Sequence, residues 1–363
     1  MGVLRDVVLI LCGVALILAV VDSAIRTFVL PRGVVVALTR FVMVMVRRLF
    51  DLRLRFAKSY EARDRVMAMY GPLALFALVA VWLVLVLAGF TLIFWAIQGD
   101  GPRRAFVESG SSVFTLGFER PVGAWADVAA FAAAAVGLAV LALLIAYLPS
   151  IYGSFSRREV LVAHVSARAG TPPRAVDLLR RAHLIGQLHD LDEIWVPYQT
   201  WFAETEETHT SIPLLAFFRS PDPDRSWITA SGAVLDAAAF VNSAIDLPRQ
   251  PMAALCVRSG YSCLRSVADY FGIPYPHDPR QGEPVSIARE EFDGACRELE
   301  AAGVPLVSDR DQAWLDFAGW RVNYDAVLIT LAGLIVAPYA PWSSDRSIPF
   351  SPRAVRLRRR TRS

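Results

Sequence analysis

Few residues in this chain have the types and spacing for chemistry. Thr115-Leu116-Gly117-Phe118 follows Ser109-Gly110-Ser111-Ser112-Val113-Phe114. Threonine offers a hydroxyl beside its carbonyl, and glycine admits backbone conformations closed to other residues. Such a run can present a row of oxygens to a cation. A second group is Glu204, Glu206, Glu207 and His209. Glu206 and His209 stand at i and i+3, a spacing at which two helical side chains share a metal ion; the same group also reads as a solvated acidic face. His189 and Glu193, four apart, suit a helix-surface pair, and His183 and Asp192 complete no constellation. Cys12, Cys256, Cys263 and Cys296 form no C-x-x-C pair and read as buried small apolar residues. Lys58 is the only lysine, which sets Schiff-base chemistry aside. No nucleophile–base pair is visible, so no enzyme is expected. The net charge of +3 gives no reason to expect nucleic acid.

The elements that must hold these groups are set by an excess of apolar residues. The chain of 363 residues is 55% hydrophobic and 20% charged, where soluble domains carry about 25% charge. The excess lies in the first 150 or so positions. Stretches 7–30, 73–97 and 128–148 approach the roughly 20 apolar residues that cross a bilayer. The second and third carry no charge, and the first holds only Asp22 and Arg26, four apart on one helical face. The first lacks a cleavage site and reads as a retained helix. Stretch 34–46 is apolar but for Arg40 and ends in Arg47–Arg48; it reads as an amphipathic helix at the interface or as one packed on the soluble part. Arginines crowd 32–65 and recur at Arg157–Arg158, while the loop between spans two and three is nearly neutral. The positive-inside rule then puts the N-terminus outside and everything after Tyr152 in the cytoplasm. Arginine in place of lysine fits a GC-rich bacterial gene, hence a bacterial inner membrane.

Between spans two and three, Gly101-Pro102 opens a semi-apolar stretch of about ten residues that runs into Thr115-Leu116-Gly117-Phe118. A short helix that enters the membrane and returns as an extended strand has this pattern, and irregular backbone at that depth is tolerated only where it lines a cavity or is buried in protein. Outer helix, short helix, Thr-Leu-Gly-Phe and inner helix together resemble the pore module of the potassium-channel superfamily. The resemblance covers 67–152, about a quarter of the chain. It implies a homotetramer in the lipid bilayer, with carbonyl rings replacing the hydration shell of K+ or another monovalent cation. Thr115, Leu116, Gly117 and Phe118 match the first four positions of the family's Thr-Val-Gly-Tyr-Gly signature. Glu119 and Arg120, at the outer mouth, stand where the family has glycine and usually aspartate, and Phe114 replaces a small hydroxyl residue. Gly137 falls where the family's inner helices often carry a hinge glycine, and Pro149 would kink or end that helix near the inner mouth. Arg26 alone is no gating-charge ladder, so voltage sensing is not expected.

After Tyr152 the composition becomes soluble. Helices are expected at 156–168, 174–188, 190–208, 227–246, 252–271, 287–302 and 311–337, with a short one at 211–218 and a strand at most at 305–308. No G-x-G-x-x-G follows a strand. The apolar run 327–340 is short and ends in proline, so it reads as a core helix. The tail, with Arg353, Arg356, Arg358, Arg359, Arg360 and Arg362, suits anionic lipid or only a disordered end. The fold expected is an all-α membrane protein: an N-terminal transmembrane helix (1–30), a basic linker (31–66), the pore module (67–152) with its re-entrant helix and filter, an all-α cytoplasmic domain (153–350) that gates or assembles the channel, and the tail (351–363). A membrane-anchored signalling or scaffold protein with a non-conducting pore is the competing expectation.

Overall fold

The computed structural model describes residues 2–28, 37–280 and 282–346. The basic tail, Pro31–Val36 of the linker and the side chain of His189 lie outside the described residues. The chain forms two compact units, Met1–Arg55 with Met69–Gly153, and Phe56–Ala68 with Ser154–Ser363. Both are helical, and the only β feature among the described residues is an isolated bridge between Ile245 and Leu306.

The first unit holds α1 (Gly2–Phe28), α2 (Ala37–Leu54), α4 (Tyr70–Gln98), α5 (Pro102–Val113) and the start of α6 (Ala124–Ala169); α3 (Tyr60–Ala68) belongs to the second. The helices that contain the three expected apolar stretches are long and apolar enough to span a membrane. Because lipid is as apolar as leucine, close contact between such helices depends on small residues and on polar pairs. Both are present where α1 crosses α4. A Cβ on Gly13 would lie 2.5 Å from the Gly89 carbonyl, and one on Gly89 would lie 2.9 Å from the Gly13 carbonyl. Nearby, Trp82 Nε1 donates to Ser23 Oγ at 3.2 Å, Ser23 meets Thr39 at 3.2 Å, and Thr27 meets Thr39 at 2.9 Å, tying α1, α2 and α4 together. Asp22 and Arg26 pair at 2.7 Å as their spacing indicated. Cys12, in contrast to expectation, is exposed on α1.

Of the two alternatives for Pro149, an end to the helix does not occur: α6, 46 residues long, contains it and continues over 156–168 as expected. One boundary differs from expectation. Segment 311–337 is two helices, α12 (Arg310–Arg321) and α13 (Asp325–Ile335), although no glycine or proline lies between them. The break is held from a distance. Arg265 Nε donates to the Asn323 carbonyl at 2.9 Å. Asp325, in the first turn of α13, accepts from Ser286 N at 2.8 Å and Ser286 Oγ at 2.6 Å.

The second unit is built around α9 (Trp227–Ser243), buried on every side from Trp227 to Val241. Around it pack α7 (Ala175–Leu184), α10 (Pro251–Phe271), α12 and α13, while α8 (Asp192–Ser211) lies on α10 and α11 (Arg289–Ala301) on α7. Gly260 lets α10 close in, since a Cβ there would lie 2.3 Å from Leu235 Cδ2. A polar cluster in this core is centred on Arg321, which is fully buried. It donates to Asp236 Oδ1 at 2.5 Å, Asp325 Oδ1 at 2.7 Å and the Trp342 carbonyl at 2.5 Å, and Tyr324 Oη donates to Asp236 Oδ1 at 2.8 Å. Burial opposes the charge on Arg321, but Asp236 and Asp325 outweigh it and raise the pKa of the guanidinium. Arg219 fastens α3 to this unit, bonding Asp64 and donating to the Ile335 and Val336 carbonyls at 2.7 Å.

Candidate functional site

The segment between α4 and α6 is positioned by three devices. Gly99, with φ +75°, closes α4 and donates its N–H to the Trp95 carbonyl, a left-handed cap that suits glycine. Pro102 then opens α5 in the first turn, where the missing N–H costs nothing. Finally, α5 leans on α4: Ser109 Oγ donates to the Leu87 carbonyl at 2.9 Å, and the buried Glu108 bonds Gln98. Gln98 Oε1 also accepts from Val122 N at 3.3 Å, pinning the chain where it returns to α6. Sequence reasoning counted Glu108 only among the loop charges. An acid amid serines on a short helix was the available signal.

After α5 the backbone is not the extended strand the sequence suggested. Thr115 has φ +54° and Gly117 φ +70°. For a β-branched threonine this is strained, costing about 1–3 kcal/mol. The conformation wraps N–H groups around the end of α5. Leu116 N donates to the Ser111 carbonyl at 2.8 Å, Gly117 N to the same oxygen at 3.4 Å, and Thr115 N to the Ser112 carbonyl at 3.0 Å. Such a concavity of N–H groups is a nest for a negative atom, here filled by a helix-end carbonyl. The carbonyls of Thr115, Leu116, Gly117 and Phe118 accept no hydrogen bond from any described residue, and all four residues are exposed. Beyond them, Ser111 Oγ donates to the Glu119 carbonyl at 2.9 Å and accepts from Glu119 N at 3.0 Å, closing the segment into a loop. Glu119 faces Arg104 at 3.8 Å, and the largely exposed Arg120 faces Asp127 at 3.9 Å.

Gly137 lies on α6 where it crosses the end of α5. A Cβ there would stand 2.1 Å from the Val113 carbonyl oxygen, so glycine is required for the two helices to touch. Twelve residues on, Pro149 is exposed. Of the most hydropathic stretch of α6, 17% is buried, against 44% for the corresponding stretch ending in α4.

The pair proposed from spacing in the soluble half does not converge on a metal. Glu206 Oε1 accepts from Ser266 Oγ at 2.7 Å. His209 is buried, with Nε2 3.1 Å from Arg158 Nη1. A guanidinium only donates, so Nε2 is the acceptor, and this neutral ring has no lone pair left there for a cation. Among the described residues no group of three metal-ligating side chains comes together. Glu193 takes its bond from Gln187, at 3.1 Å. Arg158, expected among the charges that set topology, is instead a buried hub. It donates to the Leu215 carbonyl at 2.8 Å and the Phe218 carbonyl at 2.7 Å, and its own carbonyl accepts from Trp201 Nε1. Cys256, Cys263 and Cys296 are buried as expected, and burial pushes the Cys263 thiol well up, away from reactivity.

Burial, then the charge of Arg158, hold His209 well below the usual imidazole range. The unfolded ring titrates near 6.5 and so takes up its proton first. Stability is therefore full above about pH 6.5 and falls as pH drops below it, by up to about 1.4 kcal/mol per pH unit. Denaturant midpoints of the full chain should show this slope, and His209→Gln, which keeps an acceptor for Arg158, should remove it. Equal slopes in both proteins would contradict the assignment.

No family model matches the chain, and no solved structure matches it. Over 256 residues, 67% of this chain and 72% of the relative, it is 22% identical to the uncharacterized membrane protein YdjJ of Bacillus subtilis (strain 168). Three helices of spanning length and apolarity and this similarity agree, and the chain is a helical membrane protein.

Proposed function

We propose that the protein is a potassium-channel-like cation channel, a homotetramer in the lipid bilayer, gated or assembled by its cytoplasmic helical domain and not voltage-sensing. The observation that carries this reading is the segment 115–118. Its N–H groups turn into the end of α5, and four exposed carbonyls are left without partners between two apolar helices. In a membrane, unsatisfied carbonyls are costly unless water or an ion meets them; rings of them, one from each subunit, form a dehydrating site for a monovalent cation. The second support is α6. Ala132, Ala135, Ala139, Ala142 and Ala146 are exposed at alternating spacings of three and four, a small-residue face that permits close approach of symmetry mates.

The reading is tested by K+ flux into liposomes holding the purified full chain. Gly117→Ala places a Cβ in open space but in a left-handed backbone, at about 1–2 kcal/mol, enough for a roughly five- to thirty-fold population shift. Wild-type flux reduced about that much by the substitution is the expected result. Absence of flux from wild type, or a variant that conducts equally, overturns it. One observation favours the second reading, an anchored signalling or scaffold protein with a closed pore: Glu119 and the exposed Arg120 stand at the mouth. A particle mass of one or two subunits in detergent would decide for the anchor, and four for the channel.

A further inference from the structure

The second unit contains a cavity of about 290 Å³ between α7, α9, α11 and the segment around Trp342, close to the lower limit of small-molecule sites. Its charged lining groups are Asp236, Glu291, Glu298 and Arg174. Most of their bonding capacity is spoken for. Arg346 Nη2 donates to Glu291 Oε1 at 2.8 Å, and Ala288 N donates to Glu291 Oε2 at 2.8 Å; Arg174 holds Glu298 at 2.9 Å. Asp236 differs. Its side chain is almost wholly buried, and both its donors, Arg321 and Tyr324, reach Oδ1. Oδ2 takes no hydrogen bond from any described residue, in a carboxylate that lines the cavity.

A second set of free groups borders the same space. The first turn of α7, from Arg174 to Val176, forms one wall. The cap residue Arg174 makes no side-chain bond to it, and no described acceptor takes the N–H groups of Ala175, Val176 or Asp177, although Ala175 and Val176 are buried. A buried helix start without partners is rare, and its N–H groups and dipole favour an anion. The cavity thus offers on one wall a carboxylate oxygen without a donor, its charge shared with Arg321, and donors on another. The paired arginines leave the surrounding field nearly balanced, so neither a bare cation nor a bare anion is matched at both walls.

We propose that this cavity binds a small zwitterion, its ammonium group donating to Asp236 Oδ2 and its anionic group accepting from the first turn of α7. Binding here does not depend on whether the pore conducts.

The test is equilibrium dialysis of the full chain in detergent with glycine, β-alanine and 4-aminobutyrate as zwitterionic probes, and n-butylamine and butyrate as single-charge controls. The expected result is saturable binding of at least one zwitterion, at least about tenfold tighter than either control. Asp236→Asn should weaken it by about tenfold or more. Because that change also touches Arg321, a second variant is needed. Gly294 lines the cavity from within α11, and a Cβ there meets only the end of Arg297 at 3.7 Å. Gly294→Leu should keep or raise stability, as leucine favours helix over glycine, while filling the space and abolishing binding. No binding of any zwitterion up to about 10 mM overturns the proposal. So does equal binding of a control, or binding that survives Gly294→Leu.

Discussion

Arg321→Met is expected to cost the second unit about 3–5 kcal/mol, the scale for removing one partner of a buried ion pair. The substitution leaves Asp236 and Asp325 facing each other without their cation and frees the Trp342 carbonyl. Methionine nearly fills the volume, so a cavity contributes little of the loss. Arg321→Lys keeps the charge but not the planar fork that serves three acceptors at once, and should fall between methionine and wild type. Denaturant unfolding of the full chain, followed by tryptophan fluorescence, measures this. A loss below about 1 kcal/mol for Arg321→Met would show that the cluster is not what holds α9, α12 and α13 together.

If the chain conducts as proposed, Gly137→Leu should have the largest effect on flux. Its Cβ would meet backbone, the Val113 carbonyl oxygen at 2.1 Å and carbon at 3.1 Å, which cannot rotate away. Overpacking of this kind costs about 1–3 kcal/mol, and relief requires α5 or α6 to move. Because Val113 is the last residue of α5, a movement of α5 displaces residues 115–118. Flux should fall to background while the protein still inserts in membranes. Gly110 serves as the control on the same helix: a Cβ there meets only Leu87 Cδ1 at 3.8 Å, so Gly110→Ala should conduct as wild type does. Flux retained in Gly137→Leu would dissociate this crossing from the pore.

Hydropathy made the three spanning helices legible, since each is a property of a single stretch of chain. Most of the soluble helices were legible for the same reason, from breakers such as the segment around Pro172–Pro173 and the turn near Pro221–Pro223. What could not be read depends on partners far away in sequence. The break between α12 and α13 has only Asn323 as a local signal and is fixed from a distance by Arg265 and Ser286. Arg158 looks like any juxtamembrane arginine until α8 and the turn after it close over the guanidinium. His209 has the spacing of a metal ligand, and only the fold shows that its free nitrogen is already taken. At the segment Thr115–Phe118, the sequence suggested an extended strand and the structure has a left-handed turn. The left-handed Thr115 arises because the end of α5 needs N–H partners, and a sequence pattern carries no such count.

The inward turn of three of those N–H groups sorts the segment by polarity: the hydrogens of Thr115, Leu116 and Gly117 to the helix, the oxygens away from it. A rim of carbonyls has little to offer an anion, because the N–H groups of Thr115, Leu116 and Gly117 are spent on the end of α5. If the segment lines a pore as proposed, discrimination between positive and negative ions rests on the main chain, with Arg120 opposing it and Glu119 supporting it. Under that reading, substitutions at those two positions would change how fast an ion arrives, while the preference for positive charge would come from the backbone oxygens from Thr115 to Phe118.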